Sequence, residues 1–132
     1  MAHPASPFSG IPTYDKKSGN VNVIVTTPQG GRNYYTCDPA TGIFTLSGVL
    51  PNTLFPFSLG IVPGTVTNDG VPVQVVLLSD EAAFPGCVLQ ARLLGTISED
   101  LPDGAADPMK HQRIVAACAL SPTWLAVKKL QE

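Results

Sequence analysis

Asp69-Gly70-Val71-Pro72-Val73-Gln74-Val75-Val76-Leu77-Leu78 joins a turn to the strongest strand signal in the chain. Asn68-Asp69-Gly70 carries turn chemistry, since Asn and Asp bond their own backbone and Gly tolerates positive φ. Val73 to Leu78 is apolar at nearly every position, which predicts a strand covered on both faces. Downstream, Pro85-Gly86 leads into a strand over Cys87 to Ile97, Ser98 to Pro108 is an acidic loop, and Gln112 to Ala119 is a last strand. Ser121-Pro122-Thr123-Trp124 then opens a short helix, with Ser121 as N-cap and Pro122 at the first helical position. Upstream, Gly60 to Thr67 extends to the turn, and Ser47 to Leu59, with Pro51 and Pro56, reads as irregular. Asn33 to Cys37 and Ile43 to Leu46 form a hairpin around Asp38-Pro39-Ala40-Thr41-Gly42. Val21 to Thr27 is a β-branched strand ended by Pro28. Residues 1–20, rich in Pro, Ser and Gly, form an irregular N-terminal arm, and 21–132 form one domain. Short strands at turn spacing with one small terminal helix predict an all-β fold, a small barrel.

The composition agrees. A chain of 132 residues holds one domain. Charged residues are 14% of it, and eight Lys+Arg against ten Asp+Glu leave a net charge of -2. That balance excludes a strongly basic nucleic-acid surface. The apolar runs are too short for a transmembrane helix, so no membrane partner is expected. Met1-Ala2-His3-Pro4-Ala5-Ser6-Pro7 lacks the basic and apolar regions of a secretory signal. Cys37, Cys87 and Cys118 are odd in number and widely spaced, which fits a reduced, cytoplasmic setting and burial as small hydrophobes.

Asp69-Gly70-Val71-Pro72-Val73-Gln74-Val75 resembles the Asp-Gly-Asp-Pro-apolar-Asp-apolar signature of soluble family I inorganic pyrophosphatases. Val71 and Gln74 replace the second and third Asp. Further segments fall in the same order. Val23-Ile24-Val25-Thr26-Thr27-Pro28 is similar to the first barrel strand, and Asp38-Pro39-Ala40-Thr41-Gly42 to the Asp-x-x-Ser/Thr-Gly hairpin turn. Phe55-Pro56-Phe57-Ser58-Leu59-Gly60 is similar to Tyr-Pro-x-Asn-Tyr-Gly, and Phe84-Pro85-Gly86-Cys87-Val88 to a Pro-Gly strand entry. The resemblance implies a five-stranded, OB-like barrel and Mg²⁺-dependent hydrolysis of diphosphate to phosphate. It also implies assembly through barrel and helix surfaces, hence a homo-oligomer.

The chemistry departs from the pattern. Hydrolysing a polyanion takes bridging cations, a metal-activated water and basic donors on the leaving phosphate. Mg²⁺ prefers oxygen ligands and is anchored by carboxylates. Of the signature's three Asp, Asp69 alone remains. The family's strand-one Glu falls on Thr26, its second-strand Lys and Glu fall near Asn33 to Thr36 with no charge kept, its third-strand Arg falls on Ser47 or Gly48, and its Tyr falls on Leu59. Glu99, Asp100, Asp103 and Asp107 keep the acidic loop rich in carboxylates, and Asp107 with Lys110 is nearest to the family's Asp-x-Lys.

The residues therefore sort into two sets. A residual catalytic site would use Asp69, Asp107 and Lys110, with Mg²⁺ on Asp69, Asp100 and Asp107 as cofactor, and no cofactor otherwise. A pocket for a small molecule of lower charge would use Thr26, Tyr35, Phe57, Leu59, Val71, Gln74 and Arg92 at the barrel mouth. Plainer readings stand beside both: Asp69 as a turn residue, the acidic loop as a solvated loop and His111 as a surface residue. Arg32 and Arg92 are the candidates for an anion contact, and Tyr34 and Tyr35 should point to opposite faces. Three functions remain open: a pyrophosphatase relative with weak or absent hydrolysis, the barrel repurposed for a less charged small molecule, or a non-catalytic interaction subunit.

Overall fold

The computed structural model describes residues 8, 10–67, 70–99 and 111–124, with the backbone alone for 97–99, 111, 112 and 124. Seven strands follow in order: β1 Val21–Thr27, β2 Asn33–Asp38, β3 Ile43–Val49, β4 Ser58–Ile61, β5 Gln74–Leu78, β6 Val88–Glu99 and β7 His111–Cys118. A single 3₁₀ turn, Pro122–Trp124, comes last. Five strands close a barrel in the order β1-β4-β5-β7-β6, and β2 and β3 form a separate two-stranded ribbon. Every barrel pairing is antiparallel except β5 with β7. No described helix is long and apolar enough to cross a membrane.

The β-branched run of β1 explains its place. All seven of its residues are buried. It pairs with β4 on one edge, Ile24 opposite Ile61, and with β6 on the other, Val23 opposite Leu89. Val21, Val23 and Val25 pack with Val62, Val75, Leu77, Ala91 and Ala116 in the main core. Each Val or Leu among them stabilises the fold by roughly 1.5–3 kcal/mol on full burial. Val76 belongs to a second cluster with Leu94, Val115 and Ala117. The strand expected to be covered on both faces therefore is.

Local chemistry fixes the edges. The Thr27 hydroxyl donates to Tyr35 O at 3.0 Å and accepts from Tyr35 N at 3.0 Å, which ties the β2–β3 ribbon to β1. Gly86 N donates to Val25 O at 2.7 Å, seating the entry to β6 against β1. At the turn before β5, Gly70 adopts φ +80°, a conformation that favours glycine. Part of the N-terminal arm is held by polar contacts: Thr13 Oγ1 donates to Pro63 O at 2.8 Å, and Asn22 Nδ2 donates to Pro12 O at 2.8 Å.

Three expectations need correction. The strand expected to end at Leu46 runs to Val49, because Tyr34 and Asn33 extend its pairing to Gly48 and Val49. The stretch taken as irregular to Leu59 ends sooner, because Ser58 already pairs with Leu77. The stretch expected to extend from Gly60 to Thr67 keeps strand pairing only to Ile61, since Pro63 cannot donate to a ladder and Gly64 turns the chain with φ +76°. Of the expected terminal helix, the described part is one 3₁₀ turn, and the remainder lies outside the described residues.

Gly60 marks the tightest crossing. A Cβ there would lie 2.5 Å from Val23 Cγ1 and 2.8 Å from Ile24 O, and the second is backbone. Gly60→Ala is expected to destabilise the fold by about 1–3 kcal/mol in urea unfolding, through overpacking. Gly48→Ala, whose Cβ would meet Tyr34 at an ordinary 3.9 Å, is expected to stay within about 0.5 kcal/mol.

Candidate functional site

Where β1, β4, β5 and β7 meet the β2 ribbon, the barrel mouth opens into a cavity of about 220 Å³. Thr26 comes from β1, Tyr34 to Cys37 from β2, Leu59 to Ile61 from β4, and Gln74 and Val75 from β5. Val71 and Pro72 contribute from the approach to β5, Pro39 from the hairpin turn and Arg113 from β7. Val71 is held by the loop before it: Thr67 N donates to Val71 O at 2.7 Å, and Thr65 Oγ1 accepts from Val73 N at 3.0 Å.

The polar groups around the mouth are mostly engaged with one another. Thr26 Oγ1 donates to Leu59 O at 3.2 Å. Thr36 Oγ1 and Ser47 Oγ share a hydrogen bond of 2.6 Å. Asn33 Nδ2 donates to Tyr35 Oη at 3.1 Å. Arg113 Nε donates to Gln74 Oε1 at 3.2 Å. Tyr34 stacks on Phe55 with ring centroids 6.1 Å apart and an interplanar angle of 28°. Burial, with a smaller contribution from the Asp38 charge, pushes the Cys37 thiol pKa above its ordinary value. The described residues lining this cavity include no Asp and no Glu. Among the described residues, no group of three His, Cys, Asp or Glu is placed to hold a metal ion.

Five of the expected pocket residues, Thr26, Tyr35, Leu59, Val71 and Gln74, meet in this one cavity. Two do not. Phe57, 45% exposed, precedes β4 and is not part of the lining. Arg92 sits on β6 opposite Ala117, away from the mouth. Arg32, the other expected anion contact, spends its guanidinium on backbone: Nε donates to Leu50 O at 2.9 Å and Nη2 to Pro51 O at 3.0 Å. Tyr34 and Tyr35 both contribute to the cavity lining, and at the register shift between them it is β3 that carries the extra residue, Ser47. Asp69, Asp100, Asp103, Asp107 and Lys110 lie outside the described residues.

Arg113 is the cavity residue that strand-by-strand reading misses. The signal that finds it is register. Parallel pairing of β5 with β7 sets Val75 opposite Ile114, so the residues just before them, Gln74 and Arg113, become neighbours.

The comparisons with known proteins point one way. The family model for inorganic pyrophosphatase matches residues 23–132. An inorganic pyrophosphatase of Synechocystis is 31% identical over 126 residues, covering 95% of this chain and 71% of that one. A soluble inorganic pyrophosphatase of Oryza sativa subsp. indica is 32% identical over 112 residues, and this chain spans 50% of its length. The crystal structure of inorganic pyrophosphatase from Thermus thermophilus superposes with a TM-score of 0.74 at 26% identity, covering 92% of this chain and 67% of that one. The Helicobacter pylori inorganic pyrophosphatase gives a TM-score of 0.77, also at 26% identity, covering 92% of this chain and 70% of that one. With the family model matching residues 23–132, a relative 31% identical over 95% of this chain and the shared barrel fold, this chain belongs to the inorganic pyrophosphatase family.

Proposed function

We propose that this chain keeps the family barrel with a mouth unsuited to diphosphate, so that it hydrolyses diphosphate weakly or not at all. The supporting observation is the lining. At the mouth stand hydroxyls, an amide, a thiol, apolar walls and one guanidinium, with no carboxylate among the described lining residues. That donor set does not fit Mg²⁺, which takes oxygen ligands anchored by carboxylates. A diphosphate carries several negative charges, and bringing them against Leu59, Ile61, Val71 and Pro72 strips water from them without replacing it. One Arg does not screen such a charge.

The same lining favours a second reading, in which the mouth binds or transforms a small molecule of lower charge. Apolar walls supply burial, and the few hydrogen-bonding groups supply orientation. Any chemistry would then come from positioning.

Two measurements test these readings. In a phosphate-release assay with Mg²⁺ and diphosphate, release is expected at roughly 1,000-fold or more below an intact family enzyme, the scale of losing transition-state charge stabilisation. The residual rate should not change in Asp69→Ala. Vigorous Mg²⁺-dependent release that Asp69→Ala abolishes contradicts the proposal. The second measurement uses Cys37 as a reporter. Its raised pKa leaves less thiolate at a given pH, so alkylation by iodoacetamide at pH 8 is expected to run slower than for a free model thiol. Asp38→Asn keeps the side-chain oxygen that accepts from Ala40 N at 2.9 Å but removes the charge, and should speed the reaction. Alkylation at the model-thiol rate in the parent protein would show that Cys37 is not shielded at the mouth.

A further inference from the structure

Gln74 stands on β5 among apolar neighbours of the mouth. Ile61 is its partner across the β4–β5 ladder, and Val71 and Pro72 come just before it in the chain. The two ends of its amide differ. Oε1 accepts from Arg113 Nε at 3.2 Å. A guanidinium only donates, so it selects the amide oxygen and leaves the nitrogen, with its two N–H groups, on the other side. Among the described residues, none accepts from that nitrogen. The hydroxyls of the mouth are committed elsewhere: Thr26 donates to Leu59 O, and Thr36 bonds Ser47. We propose that this mouth binds a neutral carbonyl compound with an apolar body, a ketone or a lactam, its carbonyl oxygen on Gln74 Nε2 and its body against Leu59, Val71 and Pro72. The proposal rests on the reading that the mouth takes a ligand of lower charge than diphosphate.

Three physical arguments carry it. The first is electrostatic. The described lining holds no carboxylate to pair with a cation, and Arg113 is engaged by Gln74 and by a further partner. A charged ligand would give up its water here without an opposite charge to receive it. The second is the direction of the hydrogen bond. An amide N–H beside apolar side chains loses water when a ligand enters. An apolar ligand leaves that donor unpaired, whereas a carbonyl oxygen takes the place of the water. The third is preorganisation. The bond from Arg113 holds the Gln74 amide in one of its two orientations before a ligand arrives, which reduces the ordering that binding requires. Arg113 is a positioning residue in this account and needs no contact with the ligand.

The test titrates the full chain with acetophenone, ethylbenzene and benzoate, followed by amide chemical shifts. Acetophenone and ethylbenzene share a ring and a two-carbon tail and differ in the carbonyl oxygen, and benzoate adds a charge. Acetophenone is expected to bind about 3- to 10-fold more tightly than ethylbenzene, the scale of one neutral hydrogen bond, and more tightly than benzoate. Shifts should centre on Ile61, Val71 and Gln74. Gln74→Glu keeps an oxygen for Arg113 and turns the donor into an acceptor, so the preference for acetophenone over ethylbenzene should vanish. If Gln74→Glu does not fold, the comparison of probes on the parent chain still decides. Equal binding of acetophenone and ethylbenzene, tighter binding of benzoate, a preference that survives Gln74→Glu, or no binding by any probe overturns the carbonyl assignment. Rapid hydrolysis of Mg²⁺-diphosphate instead overturns the function proposed above, so the two failures are told apart.

Discussion

The structure depends on β1 being hydrogen-bonded along both edges at once. A strand of Val, Ile and Thr with both faces buried has nowhere to send its backbone N–H and C=O groups except to neighbours, and β4 and β6 receive them. That double pairing closes the barrel and removes its open edges. It also brings β4 so near to β1 that Gly60 has no room for a Cβ. The mouth cavity follows from the same constraint. Thr26 lies near the end of β1, where the ladder with β4 shifts register between Val25 and Thr27, and the β2 ribbon hangs from Thr27.

On this frame the apolar and polar parts of the molecule are separable. The core clusters are built from Val, Leu and Ala, mostly on β1, β5, β6 and β7, and they touch the mouth only through Val75 and Leu59. A barrel of this kind can therefore exchange the side chains at its opening without losing its fold, which is how one scaffold comes to host different chemistry. Here the described lining is largely apolar. Val71 and Leu59 lower the cost of excluding water, and Gln74 serves as the acceptor for Arg113.

Much of this is legible in the sequence, and the rest fails for stated physical reasons. The run from Val73 to Leu78 declares a doubly buried strand, and the structure places it between β4 and β7. The turn chemistry of Asp38 to Gly42 declares the hairpin, where Gly42 N donates to Asp38 O at 2.7 Å. Spacing against the family signature picks out Thr26, Leu59, Val71 and Gln74, which the structure brings to one opening. What spacing does not show is partnership across the sheet. Arg113 meets Gln74 only through a parallel pairing between strands far apart in the chain. Arg32 looks like an anion contact by charge alone, and its use on the carbonyls of Leu50 and Pro51 depends on a loop that no local pattern announces.

The central claim is that the barrel persists while its opening no longer gathers divalent cations around a diphosphate. A crystal of the full chain soaked in magnesium and methylenediphosphonate tests it most directly. The account predicts no ordered ion cluster between β1, β4 and β5. A multi-ion cluster there, bridging Asp69 to the diphosphonate, would contradict it.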